Sequence, residues 1–190
     1  FFSLPVSAEL SVGERTYSLI ADVYSKETDN LKGELIYDHW SEKKKLTQLD
    51  NQVRFQAFKG KMVLSWDGKG TFAAEARRAG ALAVIQICPT KGDYIHHSNI
   101  GIVWGTPDPD QEVYMQFLPA AGIRRSDGEA LIEELKRENV CGSLSIKMDT
   151  DIRKSSMTIA DIPGRSDSYI LVSAHYDSWY EGITDNAVSD

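Results

Sequence analysis

The segment SAHYDSWYEGITDNAVSD, from Ser173 to Asp190, places one histidine and several carboxylates directly behind an apolar run, YILV, from Tyr169 to Val172. An imidazole binds a metal through one ring nitrogen, and the N–H on the other nitrogen then needs an acceptor. A nearby carboxylate, as Asp177 is to His175, supplies it and fixes the tautomer and ring orientation. Asp185 follows beyond Gly182, and its two oxygens are able to bridge a pair of metal ions about 3.5 to 4 Å apart. The same residues also suit a polar loop in which Asp177 and Asp185 cap turns or helices, and spacing alone leaves both readings open.

Other polar clusters offer less. Gly68 to Ala73, GKGTFA, has the Gly-x-Gly-x-x-Ala form of a dinucleotide turn. The strand behind it ends Gln86-Ile87-Cys88-Pro89, without the acidic residue that would hold a ribose hydroxyl, so a tight strand-to-helix connection is expected. His96 and His97 are adjacent on a loop, point in different directions and have no acidic partner at ligand spacing. His39, beside Trp40, reads as a partly buried structural histidine. Two cysteines are present; neither forms a CxxC pair, and Cys88, closing the run AVIQIC, reads as a buried thiol.

The elements that must position these groups follow from periodicity. Phe1 to Ile20 alternate apolar and polar side chains around Gly13-Glu14, which predicts a strand pair. Ala21 to Lys32 reads as a connector, Gly33 to Trp40 as a strand and Ser41 to Gln52 as a charged loop. Lys61 to Trp66, Thr71 to Ala81 and Leu82 to Cys88 read as buried strand, alanine-rich helix and buried strand, a unit that predicts parallel strands. Gly101 to Trp104 gives a further short strand. Ser126, three before Glu129, suggests a capping box that opens a helix with Leu131, Ile132 and Leu135 on its apolar face. Past Cys141-Gly142 the runs SLSIKMD, SSMTIADIPG and YILVSAH are strand-like, and a domain boundary is placed there. The flanking strands, Phe1 to Ile20 and Tyr169 to Ala174, are expected to share a sheet separate from the middle of the chain, with His175 at its carboxyl edge.

Composition narrows the function classes. A chain of 190 residues with 42% hydrophobic residues is long enough to bury a core. Its net charge of −7 opposes a general nucleic-acid or anionic-membrane surface, and the short basic runs sit among acidic residues. No apolar stretch approaches the roughly 20 residues needed to span a bilayer. The opening FFSLPVSAEL lacks the basic start and continuous apolar region of a signal peptide.

Two parts of the chain resemble known sequences. HYDSW, Gly182 and TDNA resemble the first half of the zinc-ligand signature of the co-catalytic zinc aminopeptidases, the group that includes glutamate carboxypeptidase and the transferrin receptor ectodomain. SMTIADIPG is similar to the strand and turn that precede it, with Met157 or Thr158 where the family usually has Asn. FKGKMVLSWDGKGTFAAEARRAGALAVI resembles the core of a protease-associated domain, and AAGIRRSDGEALIEEL its closing strand and helix. The chain departs from the peptidase pattern at Val188-Ser189-Asp190, where the family commonly has Gly.

The resemblance implies an α/β fold in which a β-rich protease-associated domain is inserted into the start of a mixed-sheet zinc peptidase domain. Residues 1–20 would be the first peptidase strands, 21–141 the inserted domain and 142–190 the incomplete start of the peptidase domain. It implies a zinc-dependent exopeptidase with His175 and Asp185 as metal ligands, Asp177 as the catalytic residue that orients His175, and two zinc ions in the complete enzyme. Its partner is a peptide substrate, and its expected location is extracellular or at the cell surface. A Glu-Glu pair, a further acidic ligand and a last histidine would lie beyond Asp190, so the chain is expected to be an N-terminal fragment without activity of its own. A non-catalytic receptor-like relative and a protein-interaction module built on the inserted domain are the alternatives.

Overall fold

The alternating opening folds as an antiparallel hairpin, β1 (Phe2–Val12) and β2 (Arg15–Ala21), with Gly13 at a φ of 57° in its turn. The computed structural model describes residues 2–68, 70–92, 94–96, 98–101, 108, 110–111, 118–154, 156–166 and 168–174. Chain contacts divide it into two units, Phe1–Ile152 and Arg153–Asp190.

In the first unit β3 (Thr28–Tyr37) starts inside the stretch expected to be a connector. Its polar first half earns strand status by pairing with β7 (Val140–Asp151), across an irregularity between Thr28 and Leu31 where Asn30 takes a φ of 52°. The expected βαβ unit forms: β4 (Lys61–Ser65), α2 (Gly70–Arg78) and β5 (Ala83–Ile87), with β4 and β5 parallel. A short β6 (Ala120–Ile123) adds in parallel to β5, and α3 (Arg125–Leu135) follows it. The strand expected over Gly101 to Trp104 lies largely outside the described residues.

Two helix starts correct the sequence reading. α1 (Gln48–Gln56) starts within the charged loop and is opened by Thr47: Asp50 N–H donates to Thr47 Oγ1 at 3.1 Å, and Thr47 N–H donates to Asp50 Oδ2 at 2.8 Å. This is a capping box with Asp in place of the usual Glu or Gln. The box expected at Ser126 and Glu129 does not form. Helix α3 begins after Arg124, so Ser126 is already inside its first turn, and Glu129 instead accepts from Arg125 Nε at 2.8 Å.

Among the described residues the strands close into a barrel in the order β1-β2-β6-β5-β4-β3-β7. One core fills it, with Leu10, Leu35, Met62, Leu64, Ile85 and Leu144 at its centre, and the apolar face of α3, Leu131 and Ile132, belongs to the same cluster. A second core lies on the other side of β4 and β5, where Val63 and Val84 meet Phe58, Phe72, Ala73 and Ala76. Strands buried on both faces explain why β4 and β5 read as unbroken apolar runs.

The barrel takes in strands from either side of the boundaries expected at Ile20 and Cys141. β1 is paired on one side with β2 and on the other with β7, so Phe1 to Ile20 are staves of the same barrel as the middle of the chain. β7 runs through Cys141-Gly142 without a break, held by β1 and β3 together. The hydrophobic pattern shows where strands lie but not which strands pair, and a closed barrel uses both edges of each. Cys88 is buried as expected, and both thiols are free.

Candidate functional site

His175, Asp177 and Asp185 lie outside the described residues, as does His97. Their lead-in is described. Residues 168–174 carry no strand, and the run that was expected to be buried is open: Tyr169, Ile170, Leu171 and Val172 are 86, 91, 78 and 87% exposed. Met157, Ile159 and Ile162 are exposed as well. β1, the expected neighbour, is paired on both edges, and among the described residues no strand pairs with this run, so it has no hydrogen-bond ladder there.

The remaining candidates resolve more fully. A Cβ at Gly68 would stand 2.2 Å from the Gln86 Cδ, and one at Gly70 would stand 3.0 Å from the Gly101 carbonyl oxygen. The glycines are therefore there for close packing, and the Gln86 side chain occupies the space over the turn. His39 is exposed, not partly buried, with its ring centroid 5.2 Å from that of Trp40. It stands in a single 3₁₀ turn, His39–Glu42, past the end of β3. No group of three His, Cys, Asp or Glu side chains able to hold a metal occurs among the described residues.

Sequence reasoning missed the most developed polar centre of the barrel unit. Asp38, at the end of β3, is buried and accepts from Arg54 Nε at 3.0 Å and from Ser65 Oγ at 2.8 Å. Arg54 Nη2 bonds Asp38 again and reaches Asp67 Oδ2 at 2.6 Å, while its guanidinium lies 4.8 Å from the Phe72 ring centroid. Burial opposes the charge on Arg54, but the hydrogen bonds it donates to Asp38 and Asp67 outweigh it, and its pKa is raised. The three donors meet both Asp38 oxygens, so the cluster is a satisfied tie between β3, α1 and β4. Nothing in the composition of VRFQ or SWDG distinguishes these charges from solvated ones. A groove of about 660 Å³ opens beside it, with Gln48, Asn51, Phe55, Trp66, Thr71 and Gln86 among its walls.

The terminal segment is where comparison with known proteins bears on the site. Residues 158–189 match the model of Peptidase family M28. The M28 match spans His175, Asp177 and Asp185 together with the exposed run before them. No curated protein matches the chain. Among solved structures, an aminopeptidase from Aneurinibacillus sp. strain AM-1 is similar with a TM-score of 0.56 at 21% identity, covering 78% of this chain and 33% of that one. BSAP, a zinc aminopeptidase from Bacillus subtilis, gives a TM-score of 0.53 at 21% identity over 78% of this chain and 33% of that one. A Peptidase M28 precursor from Shewanella amazonensis SB2B gives 0.51 at 18% identity over 78% and 36%. At these identities the likeness is one of fold, a mixed α/β arrangement around a barrel-like sheet. The chain spans about a third of the length of these structures. No helix among the described residues is long and apolar enough to cross a membrane.

Proposed function

We propose that the chain carries the first part of a zinc-dependent exopeptidase of the aminopeptidase type, with the barrel unit as its protease-associated domain. The observation that carries this reading is the M28 match over residues 158–189, which coincides with the one segment whose residue types suit metal chemistry. The donor set fits zinc, which takes imidazole nitrogen and carboxylate oxygen readily. His175 would hold one ion through a ring nitrogen, and Asp177 would accept the N–H of the other nitrogen and fix the ring's orientation. Asp185 would place one oxygen toward each of two ions. Zinc, when bound, lowers the pKa of a coordinated water toward about 7 and polarises a peptide carbonyl. One imidazole and one bridging carboxylate fall short of the three protein ligands usual at catalytic zinc, so further ligands from residues past Asp190 belong to the same proposal. An extracellular or cell-surface location does too.

The longer protein should release N-terminal residues from peptides, lose that activity to a chelator and regain it with zinc. The activity should also fall below about pH 6 as ligand histidines protonate. Asp185→Ala should abolish turnover while leaving the melting temperature of the barrel unit unchanged. Full turnover after that substitution, or indifference of the wild type to chelation, would leave a non-catalytic interaction module as the better reading.

A further inference from the structure

The seam between β2 and β6 is the shortest ladder of the barrel among the described residues. It consists of Ile20↔Gly122 and Ala21↔Ala121, whereas β1 and β7 pair from Phe2↔Asp151 to Val12↔Gly142. Asp22 stands at the end of this seam. Its N–H donates to the Ala120 carbonyl at 3.0 Å and its own carbonyl accepts from Ser25 N–H at 2.9 Å, so its backbone is part of the barrel wall. Ser25 Oγ accepts the Ala120 N–H at 2.8 Å and ties the same corner. Between them Tyr24 is buried at a φ of 66°, a conformation that L side chains rarely adopt.

The Asp22 side chain is 1% exposed, and among the described residues neither carboxylate oxygen receives a hydrogen bond. An ionised carboxylate only accepts, so here it would face a desolvated site with no donor. Among the described residues, the titratable or charged groups on the neighbouring segments are Tyr24, Lys26 and Glu27 on its own connector and His96, whose carbonyl backs Gly122; β6 carries none, and β1 brings Ser3. No charge among them acts on Asp22. Burial alone raises its carboxyl, to about 7.

We infer that Asp22 is a proton-operated latch on the β2–β6 seam: neutral, it stays in the barrel wall, and ionised, it draws that corner open toward water. The sign follows from linkage. An Asp in water ionises near pH 3.9, so between about pH 4 and pH 7 the opened seam releases a proton that the closed seam keeps. The opening equilibrium rises about tenfold per pH unit across that window and is level above it. The latch is therefore tight in acid and loosens as pH rises to 7, the opposite of a carboxylate held by a salt bridge.

Hydrogen exchange on the 190-residue chain from pH 4 to 8.5, corrected for the intrinsic pH dependence of exchange, tests this. Protection across residues 18–26 and 118–124 should fall about tenfold per pH unit up to pH 7, while the β1–β7 ladder stays level; in Asp22→Asn both should be flat. A ¹³C titration of the wild-type Asp22 carboxyl, which does not depend on that variant folding, should give a midpoint near 7. A midpoint below about 5 overturns the latch. So does a midpoint near 7 with no change in protection at the seam.

Discussion

Replacing Arg54 with Ala would leave the Asp38 carboxylate in the barrel wall with Ser65 as its remaining side-chain donor. Removing one partner of a buried pair costs more than the pair itself contributes, because a charge is stranded away from water. Urea unfolding of Arg54→Ala should show a loss of about 3 to 5 kcal/mol, with the m-value unchanged if the native state keeps its compactness. Exchanging Asp38, Arg54 and Ser65 together for apolar residues of similar volume should cost far less, since it strands nothing. A triple variant no more stable than Arg54→Ala would show that shape, not charge pairing, holds this corner. Asp22 and Arg54 were both invisible in the sequence for one reason: residue type does not reveal burial. His175, Asp177 and Asp185 stood out by residue type and by their resemblance to a zinc-ligand signature, while spacing alone left a polar loop equally open, and they lie outside the described residues.

At the scale of elements, the cap at Thr47 shows what pattern reading loses. The apolar residues of α1 are few, and Leu49 and Val53 are exposed, so its helix stripe is faint. The start signal was present as Thr47 followed three residues later by Asp50. Thr47→Ala removes one side of the box and should lower the melting temperature by about 2 to 4 °C. The Asp50 carboxyl is held below the usual range by its hydrogen bonds to Thr47. Its contribution is therefore whole above about pH 4 and fades as pH falls below that, so the gap between wild type and Thr47→Ala should narrow in strong acid. The βαβ unit was legible since β4 and β5 are buried on both faces and α2 is compact in sequence. The pairing of β1 with β7 was not, because the two strands are more than a hundred residues apart in the sequence and only closure of the barrel brings them together. The run at Tyr169 to Val172 has strand composition but, among the described residues, no neighbouring strand, and composition does not supply one.

For the molecule as a whole, the division at Ile152 makes a direct prediction. Limited proteolysis should cut within residues 153–174, where the described side chains are exposed, and leave the barrel unit intact. A chain ending at Ile152 should melt cooperatively within about 2 °C of the whole, as expected when the cores lie entirely on one side of the cut. A broad or much lower transition would mean that the later residues contribute to barrel stability. One pairing described above reaches further. Phe2 and Asp151 face each other as the last rung of the β1–β7 ladder, so the path into the barrel and the path out of it are one strand spacing apart, about 5 Å. A host chain opened at a single surface loop has a gap of that width. The barrel is thus shaped as a cassette: it could be set into such a loop, or excised and the cut ends rejoined through a couple of residues, without forcing the host backbone to move. Its acquisition by another fold would then require a site of insertion but no redesign around it.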